Sequence, residues 1–266
     1  MPKHLFVEGI SACYGKKMVL KNVSLEINQG ELTCLCGPNG CGKSTLLTIM
    51  AGVCDQGLRV LKGVGSTEGG FSPDKIDALS LQKLPRKESA AIVSFMQQSE
   101  YSTWDFTVRE LVLQGRFCHT KNGFYTDQDQ KLADQALSEL QISFLADRPV
   151  HSLSGGEFQK ARIARAICQE SDFILLDEAA ANLDFVYEPW LMKKLQNLAR
   201  AKNTGILLSV HDVNLAANYA DRLILLPLLT SPLCGKIKDV LTKENLKLTY
   251  GLEFECQKVN CFQSLL

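Results

Sequence analysis

The chain has 266 residues, with 29 Lys and Arg against 29 Asp and Glu, so its formal net charge is zero. Hydrophobic residues make up 45% and charged residues 22%, a balance that supports a packed core and excludes both wholesale disorder and a polybasic coat for nucleic acid. The longest apolar run, 223–229 with Pro227 inside it, is far short of the roughly 20 residues that cross a bilayer, and Met1-Pro2-Lys3-His4 opens no signal-peptide core; a cytosolic location is expected.

In chain order, alternating stretches at 5–12 and 19–27 read as strands joined at Tyr14-Gly15-Lys16-Lys17. A short buried strand at 31–36 precedes a Gly-rich loop and a helix at 43–52. The stretch 63–70 holds four glycines in eight residues without dinucleotide-loop spacing and reads as a surface hairpin or insertion. A short helix broken at Pro85 is expected within 79–89, and a strand at 91–95. Residues from about 104 to 152 are mostly helical, with helices at 108–115, capped by Thr107, and at 127–140. A further helix covers 154–169. The apolar runs 172–176 and 204–210 read as parallel strands buried on both faces. An amphipathic helix at 188–201, a helix capped by Asp212 and running to Ala220, and a strand at 223–226 complete the set. Strands alternating with helices give an α/β parallel sheet interrupted by a helical insertion.

Ten cysteines, at 13, 34, 36, 41, 54, 118, 168, 234, 256 and 261, include no Cys-x-x-Cys pair, and the four histidines (4, 119, 151, 211) are dispersed. No zinc site is expected, and most of the thiols read as small buried hydrophobes without disulfides.

Gly37-Pro38-Asn39-Gly40-Cys41-Gly42-Lys43-Ser44-Thr45 fits Gly-x-x-x-x-Gly-Lys-[Ser/Thr] between a strand and a helix. Glycines let backbone amides approach phosphate oxygens, and the helix N-terminus adds positive potential. Lys43 is placed to reach the β- and γ-phosphates and Ser44 to ligate Mg²⁺. Asp177-Glu178 ends a buried strand at the edge where α/β sheets bind ligands. Asp177 is placed to hold Mg²⁺ directly or through water, and Glu178 to orient a water for attack on the γ-phosphorus.

Leu153-Ser154-Gly155-Gly156-Glu157-Phe158-Gln159, taken with these two motifs, resembles the signature of the ATP-binding cassette (ABC) ATPases. The resemblance covers nearly the whole chain in motif order. It implies an α/β P-loop NTPase (RecA-like) core sheet with an N-terminal antiparallel β-subdomain and an α-helical subdomain inserted at about 98–152. These lie within 3–248, followed by a short tail at 249–266. It further implies that Tyr14 stacks on adenine, that Gln97 contacts Mg²⁺ and the attacking water, that Ala181-Asn182-Leu183-Asp184 crosses a dimer interface, and that His211 is the switch histidine near the γ-phosphate. Ser154, Gly155, Gly156 and Glu157 open a helix whose N-terminus faces the phosphate bound by the other subunit. The implied cofactors are ATP and Mg²⁺. The implied partners are a second copy in a head-to-tail ATP sandwich, integral membrane permease subunits and, indirectly, a substrate-binding protein, with no nucleic acid. The implied place is the cytoplasmic face of the membrane.

Three departures stand out. Ala179-Ala180 replaces the usual Pro and Ser or Thr, deleting no phosphate ligand. Phe158 stands where Arg or Lys is frequent, altering the exposed face after the signature. Cys41, at a helix N-terminus beside Lys43, is either a tolerated small residue or a thiol of lowered pKa.

Phe106-Thr107-Val108, Gly115-Arg116-Phe117-Cys118-His119, the run from His211 to Ala216 and the ending at Tyr250-Gly251 resemble the branch that energises uptake of iron–siderophores, haem or cobalamin. Zinc or manganese import is the alternative cargo, and a soluble ABC ATPase of iron–sulfur cofactor assembly the alternative class. Trp104, Phe106 and Phe117 either line a cleft for a permease helix or pack the helical insertion.

Overall fold

The computed structural model describes residues 3–53, 57–62, 74–100, 105–180 and 183–255. The alternating N-terminus forms a hairpin, β1 (His4–Tyr14) and β2 (Lys17–Asn28), turning at Gly15 and Lys16. Leu5, Val7, Leu20, Val23, Leu25 and Ile27 are buried, while Glu8, Lys21, Ser24 and Glu26 between them are exposed, as period-two strands with one wet face require. After β3 (Leu32–Cys36) and α1 (Lys43–Met50) come two strands that the sequence pattern did not reveal, β4 (Leu58–Lys62) and β5 (Lys75–Asp77). Both pair with the free edge of β1, β4 antiparallel and β5 parallel. The glycine-rich stretch 63–70 lies outside the described residues.

The second sheet is formed by β3, β6 (Val93–Met96), β7 (Phe173–Leu176), β8 (Gly205–Ser209), β9 (Arg222–Leu225) and β10 (Leu233–Lys236), in the order β10-β9-β3-β8-β7-β6. All pairs are parallel except β10 with β9. The strand at 223–226 was expected to close the set, but β10 adds an antiparallel edge beyond it. With four residues, one of them Gly235, β10 carries no readable alternation. Likewise Ala91 and Ile92, read as strand, end the helix α2 (Arg86–Ile92), and β6 begins only at Val93, which pairs with Phe173.

Every residue of β3, β7 and β8 is buried. Successive side chains enter opposite cores. Cys34, Cys36, Ile174, Leu176, Ile206 and Leu208 join the helical side, and Leu35, Phe173, Leu175 and Leu207 pack against α1 and the first sheet.

On the helical side lie α3 (Val108–Leu113), α4 (Asp127–Glu139), α5 (Gly155–Cys168), α6 (Tyr187–Lys202) and α7 (Val213–Tyr219), with α8 (Ile237–Val240) and α9 (Lys243–Tyr250) at the end. Three of these starts are capping boxes, Thr107 with Glu110, Thr126 with Asp129 and Ser154 with Glu157, in which hydroxyl and acid satisfy each other's orphan amides. Helix α3 stops before residue 115 and continues as a 3₁₀ segment, Gln114–His119. This segment clamps the end of α5. Arg116, 7% exposed, pairs with Asp129 and Glu170 at 3.0 Å each and donates to the Cys168 carbonyl, while His119 Nε2 lies 2.7 Å from the Gln169 carbonyl oxygen.

Gly115 permits that approach, because a Cβ there would collide with the Arg165 carbonyl oxygen and lie 3.2 Å from the Gln169 nitrogen. Gly115→Ala is therefore expected to lower stability by about 1–3 kcal/mol, the usual range for overpacking. The urea midpoint measures it, and an unchanged midpoint would mean that α5 retreats without cost.

Candidate functional site

The site forms at the C-terminal edge of the second sheet, where four chain segments leave buried strands within reach of one another. The loop after β3 turns into α1 through Gly42, the N-cap residue, at φ 104°. A Cβ at Gly42 would also lie 2.6 Å from Leu20 Cδ2, so both conformation and packing require glycine here. Lys43 is 6% exposed and donates from Nζ to the carbonyl oxygens of Gly37 at 2.9 Å and Pro38 at 3.2 Å. These are carbonyls of its own loop, so the ammonium is kept satisfied in its buried place.

A cavity of about 820 Å³ is bordered by Asn39, Gly40, Gly42, Lys43, Ser44 and Thr45 of the phosphate loop and α1, by Gln98, Glu178 and His211, and by Lys17, Met18, Val19, Leu228 and Leu229. A second cavity of about 340 Å³ shares Ser44, Thr45 and Gln98 with it and adds Tyr14, Thr48, Val53, Phe95, Gln97, Ser99 and Asp177. The structure thus brings together the phosphate loop, Tyr14, Gln97, Asp177, Glu178 and His211. Ser154, Gly155, Gly156, Glu157 and Asp184 line neither cavity.

Asp177 is 2% exposed and accepts from Ser209 Oγ at 2.6 Å. The same hydroxyl accepts from the Glu178 amide at 2.8 Å, so Ser209 joins the two acids. Glu178 has φ 50°. Its Oε1 lies 2.8 Å from His211 Nε2, and its Oε2 accepts from Gln98 Nε2 at 2.7 Å. Ser44, Gln97 and Asp177 offer only oxygen donors beside the phosphate loop, with a single carboxylate, which is the donor chemistry that suits Mg²⁺ held jointly with a substrate's phosphates. No cluster of three or more His, Cys, Asp or Glu that suits a metal occurs among the described residues.

At the head of α5, Ser154 donates from N and from Oγ to Glu157 Oε2 at 2.8 Å each. Those bonds hold the Glu157 carboxyl below its usual range. Gly155 is open to solvent, since a Cβ there would meet nothing within 4 Å. Asp184 accepts from the amides of Val186 and Tyr187 at 3.2 and 2.7 Å and so starts α6, while Ala181 and Asn182 lie outside the described residues.

Two expectations need correction. Cys41 is 1% exposed, and burial pushes its thiol up against the opposing pull of Lys43, so the lowered-pKa reading fails and the tolerated small residue remains. Phe158 is half-buried rather than fully exposed. It packs against the helical core, with the Arg162 guanidinium 5.7 Å from its ring.

Phe106 also packs against that core, and Trp104 lies outside the described residues. Phe117 is 51% exposed, carries Lys87 Nζ at 4.8 Å over its ring, and borders a groove of about 280 Å³ with Arg86, Gln114 and Cys118. No helix among the described residues is long and apolar enough to cross a membrane.

Sequence reasoning missed Gln98, Ser209 and Gln159, whose amide donates to the carbonyl oxygens of Glu178 and Ala179 at 3.2 Å. Ser209 was detectable as a polar residue ending an apolar strand. Gln98 was not, standing beside another glutamine.

The ABC transporter family profile matches residues 20–181. The petrobactin import ATP-binding protein YclP of Bacillus subtilis is 34% identical over 220 residues, covering 83% of this chain and 82% of its own length. The ferric enterobactin transport ATP-binding protein FepC of Escherichia coli is 34% identical over 248 residues, covering 92% and 86%. A solved inward-facing structure of a metal-chelate type ABC transporter superposes with a TM-score of 0.75 at 27% identity, covering 95% of this chain and 90% of that one.

The buried Cys41 thiol is expected to resist N-ethylmaleimide in the native chain and to react only on unfolding. Peptide mass spectrometry reads this, and fast native labelling at Cys41 would place the thiol at the surface.

Proposed function

Because the chain belongs to the ABC transporter family and is an ATP hydrolase of that family, we propose that it is the ATP-binding subunit of an importer. In this reading it works at the cytoplasmic face of the membrane and energises uptake of a metal chelate of the iron–siderophore, haem or cobalamin class. The observation that carries the reading is the convergence of the phosphate loop, Asp177, Glu178 and His211 on one edge of one sheet. The cargo class rests on relatives named for petrobactin import and ferric enterobactin transport, and on the Gly115-Arg116 and His119 sequence match.

The amides from Gly40 to Thr45 take the phosphates of ATP, with the start of α1 adding its positive end. Lys43 exchanges the loop carbonyls for β- and γ-phosphate oxygens. Ser44, Gln97 and Asp177 are the residues that would hold Mg²⁺, which would offset charge on the phosphate oxygens. Tyr14 offers its ring to the adenine. Glu178 polarises the attacking water, whose oxygen bonds to the γ-phosphorus as the bond to the bridging oxygen breaks, leaving ADP and phosphate. His211 holds Glu178 and the γ-phosphate side of the cavity in register.

Ser154 and the amides of Gly155 and Gly156 serve the nucleotide of a second copy, with Glu157 keeping the cap in place. That they line neither of the chain's own cavities supports such a head-to-tail pair. The groove beside Phe117 receives a permease helix, and a substrate-binding protein acts through that permease.

Two variants test the reading. Glu178→Gln should still bind ATP and elute as an ATP-dependent dimer, while turnover falls by about a hundredfold or more, as loss of a general base does. Wild-type turnover would remove Glu178 from the chemistry. Ser154→Arg should bind ATP with near-native affinity and lose hydrolysis. Normal hydrolysis would mean that α5 does not complete a partner's site.

A further inference from the structure

Glu178 leaves β7 with a left-handed backbone, and its side chain is only 16% exposed. The carboxylate is held at both oxygens, by His211 on one and by the Gln98 amide at 2.7 Å on the other. Gln98 lies on the loop after β6 and borders both cavities.

That loop is fastened by α5. Arg162, 2% exposed, donates to the carbonyl oxygens of Gln97 and Gln98 and to Gln159 Oε1. Glu100, on the same loop, accepts from Arg165 at 2.7 and 2.6 Å and from Arg162 at 3.2 Å. Burial alone would push the Glu100 carboxyl up, but Arg165 and Arg162 outweigh it and hold it below its usual range, so the cluster stays ionised. Gln159, also on α5, bonds the carbonyl oxygens of Glu178 and Ala179. One helix therefore holds both the backbone that carries Glu178 and the loop whose side chain grips the Glu178 carboxylate.

We infer that Gln98 is a positioning residue for ATP hydrolysis: its amide fixes the orientation of the Glu178 carboxylate, and Arg162 fixes Gln98. The inference rests on the reading that Glu178 acts on the attacking water. A carboxylate on a residue with unusual backbone dihedrals has to be aimed by its hydrogen-bond partners, and the two present here are a ring nitrogen and this amide. A glutamine serves because it donates without adding charge beside an acid. Its neighbour Gln97 borders only the smaller cavity, whereas Gln98 borders both.

The test is steady-state ATP hydrolysis by the full chain carrying Gln98→Ala or Gln98→Glu, beside Glu178→Gln. Gln98 is exposed, so both variants should melt like the native chain. Gln98→Ala should lower kcat about tenfold, within the hundredfold that a misplacement of about 1 Å costs, with KM for ATP changed less than about twofold. Gln98→Glu, of the same shape but presenting an acceptor to the carboxylate, should lose at least as much. Native kcat in Gln98→Ala, or a loss that appears in KM or in thermal stability instead, overturns the inference. If Glu178→Gln is inert while both Gln98 variants are native, only this inference fails. If Glu178→Gln turns over normally, the underlying reading fails with it.

Discussion

Three strands at the centre of the larger sheet have no wet face, and that constraint arranges the rest of the molecule. In β3, β7 and β8 every side chain is buried and successive ones enter different cores. Polar groups inside such strands are costly unless satisfied, so polar chemistry is pushed to the strand ends. There the phosphate loop follows Cys36, the two acids follow Leu176, and His211 follows two residues after Ser209. Two hydroxyls stay inside: Thr33 Oγ1 in β3 finds no hydrogen-bond partner, whereas Ser209 is fully buried and its hydroxyl gives to Asp177 and takes from the Glu178 amide. A charge-assisted bond of this kind contributes about 1.5–3 kcal/mol, and it ties the ends of β7 and β8 into one edge.

Whatever is governed by local chemistry could be read from the sequence. The Thr107 cap and the helix start at Ser154 were read this way, while the Thr126 cap was not, although each box is decided within four residues. The phosphate loop is decided by the need for Gly42 at a positive φ and against Leu20. The central strands β3, β7 and β8 are apolar enough to announce themselves. Strands β4, β5 and β10 are not, because each is held in place by a partner strand, β1 or β9, rather than by its own pattern. The boundary between α2 and β6 is likewise fixed by the pairing of Val93 with Phe173, which no local rule contains.

Cys41 shows the same limit in electrostatics. Its sequence neighbours, a lysine and a helix N-terminus, argue for an acidic thiol. The fold sets the thiol against the backbone of Gly37, where a Cβ would lie 2.8 Å from its sulfur, and desolvation outweighs the lysine. Charge neighbours are visible in a sequence, whereas burial is a property of the whole chain.

Helix α5 gathers these threads. Its first residues are held by their own capping box and line neither of the chain's own cavities, while Gln159, Arg162 and Arg165 from its middle reach the two loops that shape the acid site. Its far end is clamped by Arg116 and His119, next to the groove at Phe117. A rigid element held at three such points cannot shift at one without disturbing the others, because packed interiors transmit displacement rather than absorb it. Gly115, pressed against the Arg165 carbonyl, leaves no slack at that junction. A force applied at the groove therefore reaches the loop of Gln97 and Gln98 along one helix and a few charge-assisted bonds, with no need for a rearrangement of the sheet itself.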